Sequence, residues 1–255
     1  MSYKFIFVFL MIGHFLGDYY LQPQKLADAK GKRRGALLLH CLIYGAALAA
    51  LCLPLISFPQ AWWILFIPLS HAGIDYLKNA LLKAKCLADG KRGRLVFFAD
   101  QGAHLIIMGV FALLFTRYAG SGLSAFCQWL FLRFEALGIG VTGTQLIKMT
   151  ALLLFLGKPC NMIVRNIMPP REQPEEALLK KEQKAGRAIG ILERLLTAFF
   201  ILVGQWGALG FALAAKTLTR FNKISEDRDF AEQYLIGTMA SVLLTVVAVL
   251  IYKQL

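Results

Sequence analysis

Three histidine–aspartate pairs in this chain are spaced four residues apart inside apolar segments: His14/Asp18 in MIGHFLGDYYLQ, His71/Asp75 in PLSHAGIDYLK and Asp100/His104 in FFADQGAHLIIM. The spacing puts an imidazole and a carboxylate on one helix face, a turn apart, where they can bind each other or one cation. Ionisable groups inside an apolar span cost roughly 2.5 kcal/mol or more each, so they default to a functional reading. Taken singly, each pair is equally well a buried imidazole neutralised by its carboxylate. Three pairs together favour a metal site over structural pairing or a metal-free proton relay. Imidazole with carboxylate is the donor set of Zn, Mn and Fe sites, which helix bundles assemble from facing helices. His14, Asp18, His71, Asp75, Asp100 and His104 are therefore the expected ligands of a divalent metal ion.

Further polar groups stand beside them: Gln22 beyond Asp18, Lys78 near Asp75, Gln101 next to Asp100, and the remaining histidine, His40. A lysine and amides next to a metal suit an anionic oxygen substrate, whose phosphoryl or acyl oxygen the metal polarises while lowering the pKa of a bound water. The expected catalytic residues are Lys78 and Gln101, on the substrate oxygens, and His40 or a spare aspartate, as general base. His40 also suits a metal ligand, an outer-shell donor or an interface residue, and Lys78 an ordinary anchor at a span end.

The elements that position these residues are helices in a membrane. With 58% hydrophobic and 17% charged residues over 255 positions, the chain is too apolar for a soluble domain and long enough for about seven spans. The expected fold is an all-α polytopic membrane protein with spans near 4–22, 36–55, 61–82, 96–116, 145–164, 191–213 and 231–252. The segment 124–140 is short and carries Arg133 and Glu135, which marks it as interfacial or re-entrant. The expected division is a four-helix module over 1–118 and a C-terminal module over 119–255 with about three spans. The first span could be taken for a signal peptide, with Ala27-Asp28-Ala29 as its cleavage site, but an exporting core has no reason to hold His14 and Asp18. Five cysteines without a CxxC predict neither a disulfide framework nor a thiolate metal site.

A net charge of +13 raises the question of nucleic acid, and its distribution answers it. Basic residues crowd the first loop (Lys25, Lys30, Lys32, Arg33, Arg34), the third loop and the region after the fifth span, while LPLISFPQ between the second and third spans has none. This alternation is the positive-inside pattern, with the N-terminus outside and the basic loops in the cytoplasm, beside anionic lipid. No nucleic-acid partner is needed. In this topology every pair places His deep and Asp shallow, and His40 falls near the same depth, so all four imidazoles should share one layer of one leaflet.

The runs GHFLGDYYLQPQKLA, HCLIYGAAL, HAGIDYLK and FFADQGAHL resemble the bacterial membrane family called domain of unknown function 3307, over roughly the first 118 residues. The resemblance implies a multi-pass protein of the bacterial inner membrane and carries no activity with it. In style the pattern is also similar to membrane-bound metal-dependent hydrolases, which place His and Asp in short apolar spans.

In the second half, Arg187, Glu193 and Arg194 mark the entrance of the sixth span, as interface anchors with Glu193 paired to one of the arginines, or as a recognition site for a lipid headgroup. Pro169, Pro170 and Pro174, followed by EEALLKKEQKAGR, predict a linker and a surface amphipathic helix. The last span carries the small residues Gly237, Ala240 and Ser241 at helix-contact spacing. The functional expectation is a metal-dependent hydrolase of a lipid or amphiphilic phosphoester or ester at the cytoplasmic face, with membrane lipids and a second copy of the chain as candidate partners. The alternatives are a divalent-cation transporter and a metal-stabilised sensor or assembly factor.

Overall fold

The structure, a computed structural model, describes residues 2–52, 65–83, 90–118, 124–136, 140, 142–168 and 176–255. Every regular element among them is helical. Helix α1 (Tyr3–Phe15) passes into a π-helical turn (Leu16–Tyr20), followed by α2 (Gln24–Lys30), α3 (Arg34–Cys52), α4 (Phe66–Lys83) and α5 (Gly90–Tyr118). Then come α6 (Ala125–Ala136), α7 (Gly143–Leu156), α8 (Lys158–Ile167), α9 (Glu176–Leu202), α10 (Trp206–Leu218), α11 (Phe221–Glu226) and α12 (Arg228–Gln254). The chain divides into two compact units, one ending at Leu154 and the other running over Phe155–Gln254.

In the first unit α1, α3, α4 and α5 pack together through faces that repeat about every four residues. Helix α3 buries His40, Tyr44, Leu48 and Cys52; α4 buries Ile67, His71 and Asp75; α5 buries Asp100, His104, Met108, Ala112 and Phe115; α1 buries Ile6, Leu10 and His14. Each stripe is polar at one end and apolar at the other. The apolar ends merge into one cluster that includes Ile6, Leu10, Leu48, Cys52, Ile67, Met108 and Phe115. The outward faces carry bare aliphatics, such as Leu42 at 61% and Leu69 at 69% exposure. Buried imidazoles beneath an exposed aliphatic coat suit lipid, not water, as the surroundings.

Four helical stretches are long and apolar enough to cross a bilayer: Arg34–Cys52, Arg92–Tyr118, Gly143–Ile167 and Arg228–Gln254. A fifth is possible only as the pair Tyr3–Tyr20 and Gln24–Lys30, bent by 92°. The expectation of seven spans is thus corrected to four or five among the described residues. The stretch 191–213 is not one helix: α9 stops at Leu202, and α10 restarts at Trp206 after Gly204, whose φ of +73° is a left-handed conformation that favours glycine. Helix α4 is too polar over its described length, since it carries His71, Asp75, Lys78 and Lys83; residues 61–64 of the expected span lie outside the described residues. The stretch 4–22 ends in the π turn and bends before Pro23, which is extended.

The expected linker prolines, Pro169, Pro170 and Pro174, lie outside the described residues. Residues 176–187 do not form a separate surface helix; they are the first turns of α9. Helix α6, at twelve residues, covers about 18 Å, short of a hydrocarbon core of roughly 30 Å. In the second unit α9 packs on α12. Helix α12 buries Thr238, Ser241, Thr245 and Val249.

Candidate metal centre

The π turn holds the first pair at its boundary. His14 closes α1 and Asp18 sits within the wider turn, so Asp18 swings toward α3 and α4 as well as toward its own helix. Its Oδ2 lies 3.6 Å from His14 Nδ1, and its Oδ1 lies 3.1 Å from His40 Nε2 and 3.4 Å from His71 Nε2. π turns inside α-helices recur at functional sites because they re-aim side chains in this way. The approach of α1 to α3 depends on glycine: a Cβ on Gly17 would stand 2.5 Å from Tyr44 Cδ2 and 3.2 Å from Tyr44 Cα. The Tyr44 ring in turn stacks face to face on His71, with centroids 3.8 Å apart and planes 1° from parallel, fixing the imidazole plane.

The four histidines meet. His40 Nε2 is 3.1 Å from His71 Nε2, His71 Nδ1 is 2.7 Å from His104 Nε2, and the rings of His14 and His104 stack at 4.9 Å. All four, with Asp75, are almost fully buried. His104 Nδ1 lies 2.8 Å from the carbonyl of Asp100. A carbonyl can only accept, so Nδ1 carries the proton and Nε2 presents its lone pair, the arrangement in which outer-shell carbonyls hold metal-ligating imidazoles. The same logic passes down the chain of rings: His71 donates from Nδ1 to His104 and leaves Nε2 as a lone pair facing His40.

His40 Nε2 then has three electron-pair donors around it, His71 Nε2 and Asp18 Oδ1 at 3.1 Å and Asp75 Oδ2 at 3.2 Å. One N–H cannot serve three acceptors, and Asp18 Oδ1 is left buried without a properly directed hydrogen bond, as are His14 Nδ1 and Asp100 Oδ1. A convergence of lone pairs short of protons is what a cation resolves. Among the described residues, two groups have donor atoms close enough to hold a metal ion: His14, Asp18, His71 and His104, and His40, His71 and Asp75.

The structure therefore brings together five of the six residues expected as ligands, and His40, expected as a base or a ligand, joins His71 and Asp75 in the second group. Asp100 falls outside both groups: its carboxylate accepts from Lys78 Nζ at 2.8 Å and from Gln101 Nε2 at 2.9 Å, and its main-chain carbonyl orients His104. Gln101 accepts in turn from the Tyr19 hydroxyl at 2.6 Å. Lys30, expected only as one charge of a basic loop, reaches in from α2 to Asp75 Oδ2 at 2.9 Å, while Asn79 holds the Lys30 carbonyl. The 92° bend after Tyr20 makes this possible, and no local pattern announces it. Tyr44 carried a signal, since it stands four residues after His40. The site thus has three buried carboxylates facing two ammonium groups, Lys30 and Lys78, which form its partly exposed rim.

In the second unit, Arg187, Glu193 and Arg194 do not converge. Arg187 is exposed, whereas Arg194 is buried and donates to the carbonyls of Leu156 and Gly157 and to Asn161 Oδ1, closing the carbonyls left free where α7 gives way to α8. Glu193 pairs with Lys216 at 2.7 Å, not with either arginine.

Residues 6–132, a segment containing every member of the site, match the family model described as protein of unknown function DUF3307. No curated protein and no solved structure matches the chain.

Proposed function

From a chain whose residues 6–132 belong to the DUF3307 family, we propose an integral membrane metal-dependent hydrolase of a lipid or other amphiphilic phosphoester or ester, working near the cytoplasmic face of the bacterial inner membrane. The observation that carries this reading is His40 Nε2 amid three electron-pair donors, at the edge of a buried set of four imidazoles and two carboxylates. Zn, Mn or Fe fits the donors. A bound divalent ion supplies Lewis-acid polarisation of an ester oxygen and an acidified water. The chain's own residues do the rest. Lys78 and Lys30 neutralise the substrate's anionic oxygens, and Gln101, held by Tyr19, orients them. A carboxylate relieved of its lysine by substrate binding accepts the proton of the attacking water.

A transporter would need a polar route onward from the histidines. On the side away from Lys30 and Lys78, the four helices instead close with Leu10, Leu48, Ile67 and Met108, which supports the enzyme over the carrier. The test is metal content and hydrolysis of phosphodiester, phospholipid and carboxylester substrates by protein purified in mild detergent without chelators, beside His71→Ala. Bound metal and turnover that disappear together in the variant are expected. A folded wild type that takes up no Zn, Mn or Fe overturns the metal reading, and bound metal without turnover on any substrate class overturns the hydrolase.

A further inference from the structure

Two side chains in the centre present donor atoms in opposite directions. His71 offers Nδ1 toward His104 and Nε2 toward His40, Asp18 and Asp75. Asp18 offers Oδ2 toward His14 and Oδ1 toward His40 and His71. The two nitrogens of one imidazole diverge from opposite edges of the ring, so a single ion cannot use both. Tyr44, stacked flat on His71, keeps both edges directed at their neighbours.

We propose that the centre holds two divalent cations side by side, one between His14, His104, His71 Nδ1 and Asp18 Oδ2, the other between His40, Asp75, His71 Nε2 and Asp18 Oδ1, with His71 and Asp18 bridging them. This rests on the metal reading above and goes beyond it in number, partition and consequence. Each subsite has four protein donors from at least three helices, and each contains an atom left buried without a directed hydrogen bond: His14 Nδ1 in the first and Asp18 Oδ1 in the second. On bridging, His71 gives its Nδ1 proton to solvent. Paired ions also decide the substrate class. Three carboxylates against two lysines leave a deficit of positive charge; two divalent ions turn it into a surplus that only an anionic group offsets. That surplus favours the phosphoester, the anionic one of the candidate substrates.

The experiment is the full chain in detergent, stripped with chelator, saturated with Mn²⁺ and freed of excess, with ions per chain counted by mass spectrometry and the electron paramagnetic resonance spectrum recorded. The wild type should hold two ions with a spin-coupled spectrum. His14→Ala and His40→Ala should each keep one ion with an isolated-ion spectrum, and His71→Ala should lose the coupling. Helical content by circular dichroism checks that each variant is folded, and the wild-type count stands as a test even if every variant fails. One ion per chain in the saturated wild type, or two without coupling, overturns the pair while leaving a mononuclear hydrolase standing. No ion overturns both.

Discussion

Two aspartates with the same sequence signature have different jobs. Asp75 lies within reach of His40 and His71, whereas the Asp100 carboxylate is turned to Lys78 and Gln101 and its link to the histidines is the main-chain carbonyl that His104 Nδ1 meets. Asp100→Asn keeps that carbonyl, so metal should stay bound with an affinity loss no larger than the roughly 10–100-fold typical of outer-shell partners. Turnover on anionic substrates should fall further, because Lys78 loses its anchor. Asp75→Asn removes a donor and should give up the ion it coordinates at the same free metal concentration. Metal counts on the two variants side by side check this; equal loss from both would restore Asp100 to the ligand set.

At the scale of elements, the site depends on one close helix contact and one irregular turn. Gly17 lets α1 approach α3 so that Tyr44 can lie on His71, and the π turn carries Asp18 across to α3 and α4. Gly17→Ala puts a methyl group where the Tyr44 ring now stands; backbone at 3.2 Å limits how far the ring can yield. The expected result is metal affinity reduced by about tenfold or more, by loss of imidazole orientation, with helical content unchanged. Titration with a competing metal indicator measures it. Gly17→Ala binding metal like the wild type would remove Tyr44 from the positioning scheme.

For the whole first unit, the decisive feature is that polar and apolar ends of four helices are in register. The histidine–aspartate cluster and its lysine rim occupy one end, and an apolar plug built from Ile6, Leu10, Leu48, Met108 and Phe115 closes the other. A hydrated divalent ion cannot cross such a plug without leaving its water behind, a cost of many kcal/mol. Protein reconstituted into sealed vesicles loaded with a zinc-sensitive dye should therefore show no ion uptake above empty vesicles. Uptake abolished by His71→Ala would turn the assignment toward a carrier.

Much of this was legible in the sequence because membranes simplify the problem. Polar residues in an apolar run must face protein, so His14, Asp18, His71, Asp75 and His104 declared themselves as an inward-facing set, and the four-residue spacing gave their shared helix faces. The interruption at Gly204, the turn at Leu16–Tyr20 and the bend before Pro23 were not legible, since hydropathy sums over windows longer than a single left-handed glycine or a widened turn. Nor were the partners of Arg194, Glu193 and Lys30, which lie 23 to 45 residues away along the chain. By itself the sequence determined which residues had to be buried and on which helices. Only the tertiary structure decided which lone pairs meet, because that depends on helix approach and side-chain direction, and so it turned the Asp100 carboxylate to Lys78, set His40 beside His71 and Asp75, and brought Lys30 to the rim.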